Sequence, residues 1–452
     1  MNKPDIHSSR LSAEEYQRNF ADIKPALSDY EAHIEASRCL YCEAAPCIPA
    51  CPTGINIPAF INRIATDNID GAAQAILDAN ILGGSCARVC PTEILCEQAC
   101  VRNHEPECSP VKIGRLQRYA VDNRQPGEHP FIRLPETGKA IAVVGAGPAG
   151  LTCAHHLARK GHNITLFDAR EKPGGLNEYG IASYKLVDSY ARQEVDFVME
   201  IGGIYPEYGL QLGHNLSLDQ LRKQFDAVFL GIGLGGSRPL GLQGEEAQGV
   251  EDALPAISSL RQCNDLSQLP IGRRIVVIGG GNTAIDIACQ CKRLGAEDVT
   301  IVYRRGSEQM SATDHEQAFA RDNGIRILTW LQPSSLVIEG GYITAVQLEK
   351  TALDANGKLQ GKGELTSLPV DTLYKAIGQH FLVDSFANTY ESPELNGNRI
   401  VTDDNFRTSL VNVWAGGDCI DKGKDLTVHA VEHGKRAAYA IHHYLQGGSD
   451  NG

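Results

Sequence analysis

A helical N-terminal module followed by two α/β domains is the architecture that three features of this 452-residue sequence predict. Nine of the fourteen cysteines crowd into the first 108 residues, in two groups separated by a stretch with apolar residues every three or four positions. A strand–glycine turn–helix–strand unit begins near residue 139, and a second one begins near residue 273. A further strand, glycine turn and helix close the chain, so the first α/β domain is expected to be discontinuous. The expected division is 1–125 for the helical module and 126–265 for the first part of the first α/β domain. The second domain is inserted over 266–377, and 378–452 completes the first.

Composition sets the class. A hydrophobic content of 42% and a charged content of 21% are those of an ordinary soluble globular chain. No apolar run approaches the ~18 residues that span a membrane. The opening MNKPDIHSSRLSAEEYQ has no apolar core of a signal peptide, and a cytoplasmic location is expected. A net charge of −13 argues against nucleic acid as a partner.

The first cysteine group is SRCLYCEAAPCIPACPTGI, with Cys39, Cys42, Cys47 and Cys51 spaced C-x2-C-x4-C-x3-C-P. The second is SCARVCPTEILCEQAC, with Cys86, Cys90, Cys96 and Cys100. Reducing cytosolic conditions disfavour disulfides. Zinc sites favour paired C-x2-C motifs, and the second group has none. The run C-x2-C-x2-C-x3-C-P of bacterial ferredoxins differs from the first group by two residues in one spacer. Iron–sulfur clusters are the expectation and zinc the alternative. Two cubane clusters need eight ligands, and nine cysteines are on offer, so spacing alone does not choose among them. Cys108, in a polar turn, reads as a bystander, and His104 as a surface residue.

In KAIAVVGAGPAGLTCAHHLARKGHNITLFDAR, Gly145, Gly147 and Gly150 supply G-x-G-x-x-G. The first glycine makes a tight turn, the second admits a pyrophosphate to the backbone, and the third lets helix and strand pack closely. Asp168 ends the next strand, where an acid accepts hydrogen bonds from ribose hydroxyls. In the second unit, RRIVVIGGGNTAIDIACQCKRLGAEDVTIVYRR, Gly279, Gly281 and Ala284 take the fingerprint places. The strand now ends in Tyr303, and Arg304 and Arg305 stand where the acid would be, which suits a ribose 2′-phosphate. A hydrogen bond to a charged group is worth about 1.5–3 kcal/mol, so two such contacts set a preference for NADPH over NADH. The alternative is a pair of solvated surface charges.

The acid-bearing first unit is expected to hold FAD. In WAGGDCIDKGKDLTVHAVEHGKRAA, Gly417 and Asp418 would meet the ribityl–pyrophosphate region. A helix from about Thr427 would point its N-terminus at the flavin ring, where its dipole favours negative charge. NADPH gives up two electrons together, a flavin can release them singly, and clusters carry one each, so the order NADPH, FAD, clusters follows. No C-x-x-C lies beyond Cys42, which disfavours a dithiol beside the ring; Cys289 and Cys291 read as helix-packing residues. Hydride transfer between stacked rings needs no acid–base side chain, and no catalytic residue is assigned. His429 and His433 read as a helix face beside the flavin.

The double cysteine group, GAGPAG, GGLNEYGIASYKL, GGGNTAID, YRR, KAIGQ and WAGGD together resemble the glutamate synthase small subunit and the N-terminal half of dihydropyrimidine dehydrogenase. CPTGINIPAFI and Gln117 in VKIGRLQRYAVDN are most similar to the separate NAD(P)-linked flavoprotein subunit of bacterial dihydropyrimidine dehydrogenases. The resemblance implies that Cys39, Cys42, Cys47 and Cys100 hold one [4Fe–4S] cluster and that Cys51, Cys90, Cys96 and Gln117 hold another, leaving Cys86 and Cys108 over. From residues alone, Gln117 is a helix-surface position. The first glycine turn, Gly145, Ala146, Gly147, Pro148, Ala149 and Gly150, is expected at FAD, and the resemblance adds Gly174, Gly175, Leu176 and Lys185. The second turn, with Gly280, Gly281, Asn282 and Thr283, is expected at NADPH or NADH, and the resemblance adds Ala376, Ile377 and Gly378. The chain has no counterpart of the pyrimidine-reducing half, so a partner subunit carrying FMN and further clusters is implied, in a heterotetramer. The expected function is electron input for reduction of uracil or thymine to the 5,6-dihydropyrimidine. The alternatives are a glutamate synthase small subunit, a related oxidoreductase serving a ferredoxin, or a non-enzymatic redox-sensing subunit.

Overall fold

The computed structural model describes residues 10–104, 109–381, 383–387 and 389–447. Cys108 and the side chain of His104 lie outside them. The chain divides into two compact units. One comprises the residues up to Ile23, Tyr179–Val187 and Gly236–His380; the other comprises Lys24–Glu178, Asp188–Gly235 and the chain from Phe381.

In the larger unit the cysteine loops are carried on short helices. Asp29–Ser37 starts with a capping box, in which the Ser28 hydroxyl accepts from Glu31 N and the Glu31 carboxylate accepts from Ser28 N. Ile57–Ala65 and Ile69–Ala79 are capped by Asn56 and Asn68. The apolar stripe Ile57, Phe60, Ile61 and Ile64 is fully buried, at about 1.5–3 kcal/mol per side chain. It packs with Ile113, Leu116 and Tyr119 of the helix Ile113–Asp122.

The same unit contains a five-stranded parallel sheet in the order Val413–Ala415, Ala227–Leu230, Ala140–Val144, Asn163–Asp168, Ile204–Tyr208. Its central strands Ala140–Val144 and Ala227–Leu230 are buried apolar runs, whereas the edge strand Ile204–Tyr208 exposes Tyr205, Pro206 and Glu207. The C-terminal strand Val413–Ala415 joins at one edge, beside Ala227–Leu230, so the ends of the α/β portion meet in one sheet. The long helix Thr427–Leu445 packs on the helix Pro148–Arg159. They touch at Gly434, where a Cβ would stand 2.1 Å from Ala149 O.

The smaller unit has its own five-stranded parallel sheet, Val250–Asp252, Thr372–Lys375, Arg274–Ile278, Asp298–Tyr303, Arg326–Thr329. A three-stranded antiparallel sheet, Leu331–Glu339, Tyr342–Leu353 and Leu359–Pro369, accompanies it. Cys289 and Cys291 are buried in this core, as packing residues.

The expected boundaries shift: Tyr179–Val187, expected in the first α/β domain, falls in the smaller unit, and two longer segments move as well. Segment 236–265 pairs with the second sheet and not the first, because Val250–Asp252 runs parallel to Thr372–Lys375. The helix Ala13–Asn19 does not belong to the cysteine module. Its buried Tyr16 joins the core of Ile257 and Leu294, and Asn19 Nδ2 donates to Arg293 O at 2.9 Å.

Candidate functional site

At the first glycine turn, backbone geometry explains each glycine separately. Gly145 has φ +103°, and a Cβ there would meet Gly231 O at 2.3 Å. A Cβ on Gly150 would overlap Gly145 O at 1.8 Å. A Cβ on Gly147 would meet only Gly175 Cα, at an ordinary 3.7 Å, so packing within the protein does not require that glycine. Gly147 is the N-cap of Pro148–Arg159 and no side chain caps that helix, so the N–H groups of its first turn are left for an anion. Gly174 N donates to Ala146 O at 2.8 Å, which brings Gly174 and Gly175 against the turn.

Asp168 accepts from Ala146 N at 2.6 Å and from Arg170 N at 2.8 Å. Burial raises its carboxyl pKa, against these two donors. The carboxylate thus shapes the turn, besides standing where the sequence reading puts a ribose. Gly417, φ +81°, donates its N–H to His433 Nδ1 at 3.2 Å, and its neighbour Asp418 is pushed up to about 7 by burial, with Asp425 adding and Arg399 opposing. Thr427 opens the last helix; its hydroxyl donates to Asn177 Oδ1 at 3.1 Å, one residue beyond Leu176. An uncapped helix start, a cradle with room at Gly147 and the Gly417–Asp418 turn all fit a dinucleotide flavin, and all lie in the larger unit.

Lys185 is placed differently. It belongs to the smaller unit, where its ammonium is held by Asp286 Oδ1 at 2.8 Å and Glu316 Oε2 at 2.7 Å. Burial works against its charge, but the two carboxylates keep it above the ordinary lysine range. Asp286 lies on the helix of the second glycine turn, so Lys185 secures that helix.

The second turn repeats the logic of the first. A Cβ on Gly279 would meet Ala376 O at 2.2 Å and one on Gly280 would meet the Tyr303 ring at 2.5 Å. Gly281 is the N-cap of Asn282–Arg293, again without a side-chain cap. Asn282 Oδ1 is buried with no hydrogen-bond partner among the described residues, and Thr283 follows it in the first turn. Ala376 N donates to Ile278 O at 2.9 Å, which sets Ala376, Ile377 and Gly378 beside the turn. Arg304 is exposed and Arg305 half-buried; among the described residues neither guanidinium has a carboxylate partner.

Cys39, Cys42, Cys47 and Cys100 line one pocket, closed by Ile57, Ile61, Val111 and Ile113. Burial, then Cys39, pushes the Cys47 thiol up to about 11. Among the described residues, no three His, Cys, Asp or Glu side chains are gathered tightly enough for a single metal ion. The four thiols share the lining of one pocket, a donor set that fits an iron–sulfur cluster. A thiol raised by burial, as Cys47 is, is deprotonated outright on a metal.

Cys51, Cys90 and Cys96 form a second neighbourhood. The Cys90 thiol is raised by its hydrogen bond with Cys86, by burial, and by Cys51 and Cys96; burial also raises Cys96. Gln117, expected from residues alone on a helix surface, is only 8% exposed, and its Nε2 donates to Gly83 O at 2.6 Å. That bond fixes which end of the amide faces Gly83. Glu194 went unread in the sequence. Its Oε1 accepts from Gly84 N at 3.0 Å and Ser85 N at 2.9 Å, at the start of the helix carrying Cys86. The available signal was a charge inside the apolar stripe Ala191, Val195, Val198.

Known proteins match this arrangement. Residues 16–128 match the family described as dihydropyrimidine dehydrogenase domain II, 4Fe-4S cluster, and residues 139–434 match pyridine nucleotide-disulphide oxidoreductase. The chain is 35% identical over 433 residues to the NAD-dependent dihydropyrimidine dehydrogenase subunit PreT of Escherichia coli K12, covering 95% of this chain and 98% of that one. It is 33% identical to the glutamate synthase [NADPH] small chain of the same organism, covering 94% of each. Mycobacterium tuberculosis FprA in complex with NADPH has a similar fold, with TM-score 0.57 at 16% identity over 71% of this chain and 87% of that one. Thioredoxin reductase of T. acidophilum does too, with TM-score 0.55 at 20% identity over 69% and 100%. Among the described residues no helix is long and apolar enough to cross a membrane. The chain therefore belongs to the pyridine nucleotide-disulphide oxidoreductase family, in the group that joins a dihydropyrimidine dehydrogenase-type 4Fe-4S domain to FAD- and NAD(P)-binding domains, and it is an electron-transferring flavin iron–sulfur oxidoreductase.

Proposed function

We propose that the chain is the electron-input subunit of a cytoplasmic dihydropyrimidine dehydrogenase. In this reading NADPH or NADH reduces FAD, and two [4Fe–4S] clusters pass the electrons to a partner subunit that reduces uracil or thymine. The partner carries FMN and its own clusters, and the assembly is a heterotetramer. The nicotinamide and flavin supply hydride exchange, and the clusters supply one-electron steps. The protein's part is to hold the dinucleotides on the uncapped helix starts at Gly147 and Gly281, and the clusters on Cys39, Cys42, Cys47 and Cys100 and on Cys51, Cys90, Cys96 and Gln117.

The observation that carries this reading is the burial of Gln117 within the cysteine module, at the place where pyrimidine-reducing relatives are expected to use a glutamine ligand. The match to a relative named as a dehydrogenase subunit over nearly its whole length supports a partner. A glutamate synthase small subunit is the second reading, favoured by the 33% identity to that chain. The native complex, isolated anaerobically, distinguishes them. Oxidation of NADPH or NADH that depends on uracil is expected. Oxidation that depends only on glutamine with 2-oxoglutarate would assign the chain to glutamate synthase.

A further inference from the structure

The helix Thr427–Leu445 starts at the flavin site and runs on past the cysteine module. About two turns in, Lys435 Nζ donates to Thr53 O and to Ala79 O, each at 2.9 Å, and pairs with Glu432 Oε2 at 2.7 Å. Two of the ammonium's three N–H donors go to these backbone carbonyls, and the contact with Glu432 is an ion pair. The side chain is only 12% exposed. Glu432 balances its charge, and the two carbonyls accept N–H donors that burial would otherwise leave unpaired; in doing so they hold both backbone segments in place. One contact is to the turn two residues after Cys51, and the other is to the last residue of the helix Ile69–Ala79.

Thr53 is itself buried, and its hydroxyl lies 3.3 Å from Cys51 Sγ. Between a free thiol and a hydroxyl either atom can donate. A sulfur bound to iron has lost its proton, so there the Thr53 hydroxyl must be the donor. Hydrogen bonds to ligand sulfurs are one of the quantities that set a cluster's potential, and they raise it by stabilising the added electron. A threonine hydroxyl turns freely, but its distance from Cys51 depends on where the backbone of Thr53 is held.

From these contacts the geometry points to Lys435 as the positioning residue of the cluster that Cys51 holds. It clamps the Thr53 carbonyl so that the Thr53 hydroxyl donates to Cys51 Sγ. This raises the potential of that cluster and ties its ligand loop to the helix that begins at the flavin. Because Glu432 offsets the lysine's charge, the effect runs through position. The inference rests on Cys51 being a cluster ligand.

The test is an EPR-monitored redox titration of both clusters in the anaerobically purified holoprotein. The variants are Thr53→Val, Thr53→Ser, Lys435→Met, Lys435→Arg and the double variant Thr53→Val with Lys435→Met. Thr53→Val and Lys435→Met should each shift electron sharing between flavin and the Cys51 cluster about tenfold toward the flavin, about 59 mV for a one-electron carrier. The double variant should shift it no further than either alone, since both act through one hydrogen bond. Thr53→Ser and Lys435→Arg should restore the wild-type value, and the other cluster should not move. Amide exchange at residues 53–55 should quicken in Lys435→Met but not in Thr53→Val. Additive shifts, equal shifts in both clusters, or a wild-type potential in Lys435→Met would overturn the inference. If Lys435→Met loses flavin or iron, Thr53→Val against Thr53→Ser still decides whether the hydroxyl tunes the cluster. A Cys51→Ser protein that keeps all its iron and both EPR signals would instead show that the ligand assignment itself was wrong.

Discussion

Replacing Gly147 by alanine separates what the fold needs from what the cofactor needs. Gly147 has φ −82° and ψ −176°, extended backbone that any residue adopts, and a Cβ would find its nearest neighbour at 3.7 Å. The cost to folding is the loss of a glycine N-cap, about 1 kcal/mol or less. Gly150→Ala is the contrasting variant, because its Cβ would stand 1.8 Å from Gly145 O and the turn would have to open. For the cofactor the order reverses. A methyl group at 147 fills the space through which a pyrophosphate reaches the N–H groups of the first turn. Losing two hydrogen bonds to a charged group, at about 1.5–3 kcal/mol each, weakens FAD binding by about 3–6 kcal/mol, roughly 10²- to 10⁴-fold. The assay is FAD titration of flavin-stripped protein by fluorescence quenching, paired with thermal unfolding of the same apoprotein. Gly147→Ala should unfold within a few degrees of wild type and yet bind FAD at least a hundredfold more weakly. FAD affinity within threefold of wild type, or an apoprotein as unstable as Gly150→Ala, would refute the reasoning.

Three further outcomes follow from the same structure. Iron and sulfide should stand near eight each per chain under the two-cluster proposal, and Cys42→Ser should lower both to about half; an unchanged count removes Cys42 as a ligand. Arg304→Ser with Arg305→Ser should lower the NADPH-to-NADH ratio of kcat/KM by about 10- to 100-fold per lost contact, whereas equal losses for both nucleotides would make these arginines solvated surface charges. Burial, reinforced by Arg159 for His156 and by His429 for His433, depresses these imidazoles to about 3 and about 4. The unfolded chain then takes up protons below its ordinary pKa of about 6.5 while the folded chain does not, so stability falls as pH drops from 6.5 toward 4. Each unit of depression is worth about 1.4 kcal/mol, and His156→Leu should lessen the loss of unfolding midpoint between pH 7.5 and 5.5.

Both glycine turns were legible in the sequence because the β-α-β pattern that carries them spans only about thirty residues. Gly150 answers to Gly145 O in the same turn, but Gly145 and Gly279 answer to Gly231 O and Ala376 O, on distant strand ends that the pattern does not announce. Cysteine crowding announced the module for the same reason. Gln117 was not legible from its own surroundings. The helix Ile113–Asp122 has a clear apolar face of Ile113, Leu116 and Ala120, and a glutamine beside it reads as solvated. Only the packing of the helix Gly83–Val89, whose Gly83 O receives the Gln117 amide, buries it. Family resemblance supplied what periodicity could not.

What the sequence determined by itself, then, is the class of chemistry: two dinucleotide turns and a cysteine-rich helical module, each written in short-range spacing. What tertiary structure decided is which distant segment completes each part. Nothing near Tyr16 in the chain says that its partners are Ile257 and Leu294. Lys185 is expected near FAD by resemblance, yet Asp286 and Glu316, more than a hundred residues on, take its charge. Residue pattern fixes which face of an element avoids water, because that follows from the helical or strand period. It leaves open which other face will cover it, because apolar burial is non-directional and many surfaces would serve. That choice is made only when the whole chain packs at once.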